Sequence, residues 1–309
     1  MSPAGERTNL PELRFDGRVA VITGAGNGLG REHARLLSAR GAAVLLNDVN
    51  SADEAAEEIA GGGGTVSAVT SDIASTGGAT AVVDAAMDAY GRVDIVVNNA
   101  GILRADDLAD TTDEVLDEVL GVNLRGAFRV TRAAWPHLSR QGYGRVVFTS
   151  SNSGLLGVPG SGAYAASKAA LWGLTRVLAL EGGPLGIRTN AIAPIAFTRM
   201  SQQSRAAPES WRSGTGDAWA SRLAPSLVSP TVAWLVHQDC DLNGEVLSVG
   251  GGRVARFFVG LTPGMVDDAL TPESVRNHLD QILAEEGYEV LDSAADEGRR
   301  LHRRLMRRG

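Results

Sequence analysis

Seven short, continuously apolar runs alternate with helical stretches between residues 18 and 249. That alternation restricts the fold more than any other feature of the chain. The apolar runs lie at 18–22, 42–47, 65–69, 93–97, 145–149, 187–192 and 245–249. Helical patterns fall between them, at up to about 40, 51–60, 76–90, 112–140, 162–182 and 229–238. A strand that is apolar without a break is covered on both faces, which is the condition of parallel sheets. Strand and helix in turn imply right-handed crossovers, so the expected class is α/β with a single doubly wound parallel sheet of seven strands.

Three segments stand outside the alternation. Gly61 to Gly64 are four consecutive glycines, a flexible helix-to-strand connection. Residues 197–224 are too long for an ordinary connection and contain Trp211 and Trp219. They directly follow Ile192-Ala193-Pro194 at a strand end, where such sheets bind ligands, so a lid is expected there, with a variable surface insertion as the alternative. Residues 262–309 lie beyond the last strand, and Thr271-Pro272-Glu273-Ser274 carries helix-start chemistry. The expected organisation is a tail over 1–14, a domain over 15–261 that includes the lid, and a helical extension over 262–309.

The glycine turn after the first strand is the first chemical signal. It reads Thr23-Gly24-Ala25-Gly26-Asn27-Gly28-Leu29-Gly30. Glycines between a strand and a helix let the backbone approach a pyrophosphate, whose charge faces the helix N-terminus. Asp48 ends the second strand and is suited to accept hydrogen bonds from adenosine ribose hydroxyls while repelling a 2′-phosphate. No arginine lies in the Ala25–Leu29 stretch or next to Asp48. NAD is therefore expected in preference to NADP. Asp72 is placed to meet the adenine amino group, with a helix cap as its ordinary alternative. Asn98-Asn99-Ala100-Gly101 ends the fourth strand with small residues against which a cofactor can lie.

The basic residues supply the second signal. Of 29 Lys and Arg residues only one, Lys168, is a lysine. It stands four residues after Tyr164 in Tyr-Ala-Ala-Ser-Lys, so the two side chains share a helix face. A phenol is a poor base at neutral pH, and a neighbouring ammonium favours its ionised form. Ser151, just beyond the fifth strand, is available to bond the reacting oxygen.

With these residues in place, the chain resembles the short-chain dehydrogenases/reductases. Thr-Gly-x-x-x-Gly-x-Gly at 23–30, Asn-Asn-Ala-Gly at 98–101, Asn123, Ser151, Tyr164 and Lys168 stand in that family's order. The resemblance implies a Rossmann-type sheet and oxidation of a secondary alcohol. Under it, Tyr164 is the general acid/base, Ser151 polarises the substrate oxygen, Lys168 binds the nicotinamide ribose and Asn123 holds a relay water. It also implies cofactor contacts at Gly24, Asn27, Gly28, Leu29, Gly30, Ile73, Asn99, Ala100, Gly101 and Thr198. A narrower similarity, carried by Leu124-Arg125-Gly126, Asn190-Ala191-Ile192-Ala193-Pro194, Thr198-Arg199-Met200 and Leu270-Thr271-Pro272, is to the (R)-3-hydroxyacyl-CoA dehydrogenase units of peroxisomal multifunctional enzymes of type two. It implies a hydroxyacyl-CoA or hydroxysteroid substrate and a homodimer or homotetramer. Ile195 departs from the glycine that many members carry after that proline.

Two other readings use the same residues: a polyketide-type 3-oxoacyl reductase, and a non-catalytic NAD-sensing protein. Asp48 disfavours the first, because reduction usually runs on NADP, and the intact Ser151, Tyr164 and Lys168 disfavour the second. The five histidines (33, 137, 237, 278 and 302) show no metal-ligand spacing, so no metal is expected, and each is read as a surface or helix-terminal residue. A net charge of −7 argues against nucleic acid as the main partner, although six arginines stand between Arg299 and Arg308. No apolar run reaches the length of a membrane span. The first 13 residues carry no apolar core of a signal peptide, and the chain has no C-terminal Ser-Lys-Leu. The single cysteine, Cys240, suits a reducing compartment, and a cytoplasmic protein is expected. Met200 and Leu155 are expected to flank the substrate.

Overall fold

The first apolar run becomes strand β1 (Val19–Thr23), with every residue buried. The computed structural model describes residues 11–306 except 51, 206 and 214–217. After β1 come α1 (Gly28–Ala39), β2 (Ala43–Asp48), α2 (Ala52–Gly61), β3 (Val66–Thr70), α3 (Thr76–Tyr90) and β4 (Ile95–Asn98). The next elements are α4 (Asp113–Leu120), α5 (Ala127–Gln141), β5 (Gly144–Thr149), α6 (Ser153–Leu156), α7 (Gly162–Gly182) and β6 (Ile187–Pro194). Then follow α8 (Arg199–Gln202), α9 (Glu209–Arg212), α10 (Ser229–Val236), β7 (Val246–Gly250) and β8 (Arg253–Phe257).

The strands lie in the order β3-β2-β1-β4-β5-β6-β7-β8. The pairings from β3 through β7 are all parallel. Central strands β1, β4 and β5 are buried throughout, as continuous apolar sequence requires of a sheet covered on both faces. Chain direction across the sheet reverses between β1 and β4. Such a switch point opens a crevice at the carboxyl ends of the strands, and the glycine turn and the Asn-Asn-Ala-Gly turn both end there.

Three expectations are corrected. The sheet has eight strands, not seven: β8 joins β7 through Gly251-Gly252, whose φ angles of 59° and 80° suit a two-residue hairpin. A connection that short forces β8 antiparallel. β8 is largely exposed, so it carries no continuous apolar signal. The helix expected over 112–140 is interrupted by one π-helical stretch, Gly121–Gly126, between α4 and α5. Finally, His33 is not at the surface or a helix end. It lies inside α1, 1% exposed, with Nδ1 2.8 Å from Ser229 Oγ on α10.

His33 has a measurable consequence. Burial holds its pKa down to about 3, and its Nε2 has no partner among the described residues. The unfolded chain takes up this proton near pH 6.5 and the folded chain does not, so the stability that His33 contributes is present above pH 6.5 and lost as pH falls toward 3. The full span is worth about 5 kcal/mol. His33→Gln is therefore expected to flatten the fall in stability between pH 6.5 and 4, measured by urea unfolding at each pH. An unchanged slope would show that other groups set the acid limit.

The chain divides into two compact units, 1–256 and 257–309. Within the second, β9 (Gly260–Leu261) pairs antiparallel with β10 (Glu289–Val290), and α11 (Pro272–Asn277), α12 (Leu279–Leu283) and α13 (Ala294–Met306) are its helices. Thr271 caps α11 by accepting from Ser274 N at 3.0 Å. Three arginines of the basic cluster are engaged inside this unit: Arg299 pairs with Asp296, Arg300 pairs with Glu289, and Arg304 donates to the Pro263 and Gly264 carbonyls. Arg307 and Arg308 lie outside the described residues. No described helix is long and apolar enough to cross a membrane.

Candidate functional site

At the switch point the backbone is built for close approach. Gly24 has φ +64°, and a Cβ there would lie 2.7 Å from Ala100 Cα. Gly30 packs tighter still, since its Cβ would lie 2.3 Å from the Gly24 carbonyl oxygen. Side chains then lock the two turns together. Asn99 Nδ2 donates to the carbonyls of Thr23 and Gly24 at 3.1 and 3.0 Å, and Thr23 Oγ1 accepts from the amides of Asn99 and Ala100 at 3.1 Å each. Asp48, at the end of β2, accepts from Gly26 N at 3.0 Å and from Val49 N at 2.8 Å. It therefore braces the glycine turn. Asp72 accepts from Ala74 N at 2.8 Å, while the cap of the following helix α3 is Ser75.

These turns form one end of a cleft of about 780 Å³. Of the residues singled out in the sequence, Gly24, Asn27, Gly28, Leu29, Asp48, Asp72, Ile73, Asn99, Ala100, Gly101, Ser151, Tyr164, Lys168 and Thr198 all line it. Gly30 and Asn123 do not. Gly30 is spent on packing α1 against the turn, and Asn123 is wholly buried behind the wall.

The opposite wall carries α7. Lys168 is 2% exposed, and its Nζ donates to the Thr149 carbonyl at 2.7 Å. Burial lowers its pKa to about 8. The same Nζ lies 5.7 Å from the centre of the Tyr164 ring. Burial pushes the Tyr164 phenol above its ordinary value, and a hydrogen bond with Ser151 draws it back. Ser151 Oγ also accepts from Ser153 N at 3.1 Å, which orients it at the start of α6.

Asn123 sits in the π-helical stretch. Its Oδ1 accepts from Ile102 N at 2.8 Å, and its Nδ2 donates to the Ile102 carbonyl and to Ser167 Oγ, both at 3.0 Å. Ser167 Oγ in turn donates to the Tyr164 carbonyl at 2.7 Å. Thus Asn123 couples the turn after β4 to the helix that carries Tyr164 and Lys168. Ser167, Ile102 and the Thr149 carbonyl were not among the residues singled out. Main-chain groups carry no residue identity, so only Ser167, inside Tyr-Ala-Ala-Ser-Lys, left a trace that could have been followed.

The lining also carries the apolar residues Leu103, Ile195, Met200, Ala207 and Trp219, set among polar Arg104, Asn152, Gln203 and Ser204. Met200 is there as expected; Leu155 is not among the lining residues. The Trp211 side chain lies outside the described residues. No group of three or more His, Cys, Asp or Glu side chains that could hold a metal ion occurs among the described residues.

Comparison with known proteins agrees with this arrangement. The sequence model for the short chain dehydrogenases matches residues 18–209. The peroxisomal multifunctional enzyme type 2 of Mus musculus is 39% identical over 285 residues, covering 87% of this chain and 37% of that enzyme. The full-length structure of peroxisomal multifunctional enzyme type 2 from Drosophila melanogaster matches with a TM-score of 0.80 at 33% identity, over 96% of this chain and 50% of that one. A 3-ketoacyl-(acyl-carrier-protein) reductase from Brucella melitensis, solved with NADH, matches with a TM-score of 0.68 at 31% identity, over 77% of this chain and 98% of that one. The chain spans half or less of these two multifunctional enzymes. With a family match over most of its length and a doubly wound sheet to go with it, the chain belongs to the short-chain dehydrogenases/reductases, oxidoreductases that work with a nicotinamide cofactor.

Proposed function

We propose that this chain interconverts a secondary alcohol and its ketone with NAD, and that its substrate is a 3-hydroxyacyl-CoA or a hydroxysteroid. The observation that carries the reading is the meeting of Ser151, Tyr164 and Lys168 in the same cleft as the glycine turn and Asp48. The cleft fits a dinucleotide. Helix α1 has no side-chain cap and no acid in its first turn, which leaves its free N–H groups for a pyrophosphate. A Cβ on Gly28 would find its nearest neighbour only at 3.9 Å, so the backbone is open to a ligand at that point. When bound, the nicotinamide supplies the hydride acceptor or donor.

The chain's own residues manage the proton. Tyr164 takes it from the alcohol or returns it to the ketone oxygen. Ser151 donates a hydrogen bond to that oxygen, and Lys168 holds an ammonium near the phenol and a ribose hydroxyl. Asn123 acts from behind the wall, setting the position of Ile102 and α7. The apolar residues Leu103, Ile195, Met200, Ala207 and Trp219 suit an acyl chain or a ring system.

Asp48 supports NAD over NADP, because its carboxylate ends β2 in the cleft where a 2′-phosphate would meet it. Asp48→Ala is expected to weaken both dinucleotides by loosening the Gly26 amide. The ratio of affinities favouring NAD should fall about tenfold, or about 1.4 kcal/mol. Calorimetric titration with both dinucleotides checks this, and an unchanged ratio would remove Asp48 as the determinant.

A 3-oxoacyl reductase is the second reading. The raised Tyr164 favours it in one respect, since a protonated phenol is ready to donate. Assays of 3-hydroxyacyl-CoA and hydroxysteroid oxidation with NAD, beside 3-oxoacyl thioester reduction with NADH and NADPH, decide between the two. Binding of NAD with no turnover of any of these would overturn both in favour of a sensor.

A further inference from the structure

After β6 the chain leaves the sheet and comes back at Leu223, whose carbonyl accepts from Phe197 N at 2.8 Å to close the base of the excursion. Its first turn, α8, is held by a reciprocal cap between Thr198 and Ser201. Three residues beyond α8 stands Arg205. Its Nη1 donates to Asp107 Oδ1 at 2.6 Å, and its Nη2 donates to the Ala105 carbonyl at 3.0 Å. On another side it rests on Gly160, where a Cβ would lie 2.7 Å from Arg205 Cδ. The Arg205 side chain therefore joins its own excursion after β6 to two other stretches of chain, the loop after β4 and the turn before α7.

Each of the three stretches also supplies cleft wall. Ser204 and Ala207 flank Arg205, Leu103 and Arg104 precede Ala105, and Val158 and Ser161 bracket Gly160. Arg205 and Asp107 themselves are not lining residues. The Asp107 end is firm, because the Asp107 carbonyl accepts from Asp110 N and Thr111 N at 3.0 Å in a compact turn leading to α4.

We propose that Arg205 is a positioning residue that sets the width of the part of the cleft lined by Leu103 and Ala207 by tying these three stretches together. The proposal rests on the reading of that part as the substrate site. An exposed ion pair contributes little to overall stability, and both partners here are about half exposed or more. The tie differs from a simple pair in its two donors on one loop and in the bare glycine under the side chain. Arginine's planar fork suits that arrangement and a lysine's single point charge does not. Its effect falls on the shape of the cleft mouth and leaves the proton chemistry to Tyr164.

Two readings of Arg205→Ala and Asp107→Ala test this. In the first, 3-hydroxybutanoyl-CoA and 3-hydroxydecanoyl-CoA are oxidised in parallel. The ratio of their kcat/KM values is expected to change by about fivefold in either variant, the upper end of what such a pair contributes. The change should appear in KM with NAD affinity unaltered. The double variant should be no worse than either single one, and Arg205→Lys should restore the ratio only in part. In the second reading, hydrogen exchange at the amides of Gln202, Gln203 and Ser204 should speed up in both variants, with β5 unchanged. Wild-type substrate ratios in both variants, or wild-type exchange at those amides, would overturn the proposal. If the unmodified protein oxidises neither thioester, the proposed substrate falls, and exchange alone still judges the tie.

Discussion

Lys168→Arg is expected to cost about two to four orders of magnitude in turnover, the range usual for losing a positioned proton-transfer partner. The substitution keeps the positive charge and conforms to the composition of a chain in which every other basic residue is arginine. Its failure would come from shape. Lys168 Nζ is buried and bonded to the Thr149 carbonyl at 2.7 Å. Gly101 also lies close, since even a Cβ built on it would stand only 3.2 Å from Nζ. A planar guanidinium, larger and with a fixed fork of donors, does not fit where a compact ammonium must reach both a main-chain carbonyl and the space beside Tyr164. Steady-state rates with saturating NAD check the prediction, with a thermal melt to establish that the variant is folded. Near-normal turnover would mean that the lone lysine is an accident of composition.

The same residue carries a stability cost. A lysine pKa lowered to about 8 means that burial penalises the charged form. Below pH 8 the folded protein bears that penalty in full, and it is relieved as pH rises from 8 to the unfolded value near 10.5. The difference amounts to about 3 kcal/mol at neutral pH. Lys168→Met is thus expected to melt higher than the unmodified protein at pH 7 while losing activity. The gain should shrink toward pH 10.

Tyr164→Phe is expected to lower turnover by about three orders of magnitude and leave NAD affinity within about twofold. Phenylalanine preserves the ring that fills the wall and removes only the proton-carrying oxygen. Because burial holds the phenol above its ordinary value, it is protonated at neutral pH. Alcohol oxidation needs the ionised form, so its rate should rise with pH; ketone reduction needs the protonated form, so its rate should fall over the same range. Pre-steady-state hydride transfer measured in both directions from pH 6 to 10 tests this. A pH-independent rate in both directions, or an active phenylalanine variant, would take Tyr164 out of the chemistry.

Much of this is legible in the sequence. Continuous apolar strands predict a doubly covered parallel sheet because a parallel strand has no solvent face to mark with polar residues. The four-residue spacing of Tyr164 and Lys168 puts both in one cleft because helix geometry is local. Weaker signals mislead for physical reasons. β8 escaped notice because an exposed edge strand needs no apolar run. His33 was misplaced because an amphipathic helix can bury a neutral imidazole when the facing helix offers a hydroxyl.

Local chemistry along the chain thus determined the α/β class, the glycine turn, and the pairing of tyrosine with lysine. The tertiary structure decided what lies between elements. It drew Asn123 behind the wall through a π-helical stretch, where it bonds the Ile102 main chain and Ser167. It chose the Thr149 carbonyl as the partner of Lys168, and it brought Arg205 to Asp107 across 98 positions. The physical reason is the same in each case. Periodicity specifies where a side chain points within its own element, but a contact across a crossover depends on how the whole sheet is wound, and a main-chain carbonyl has no letter in the sequence.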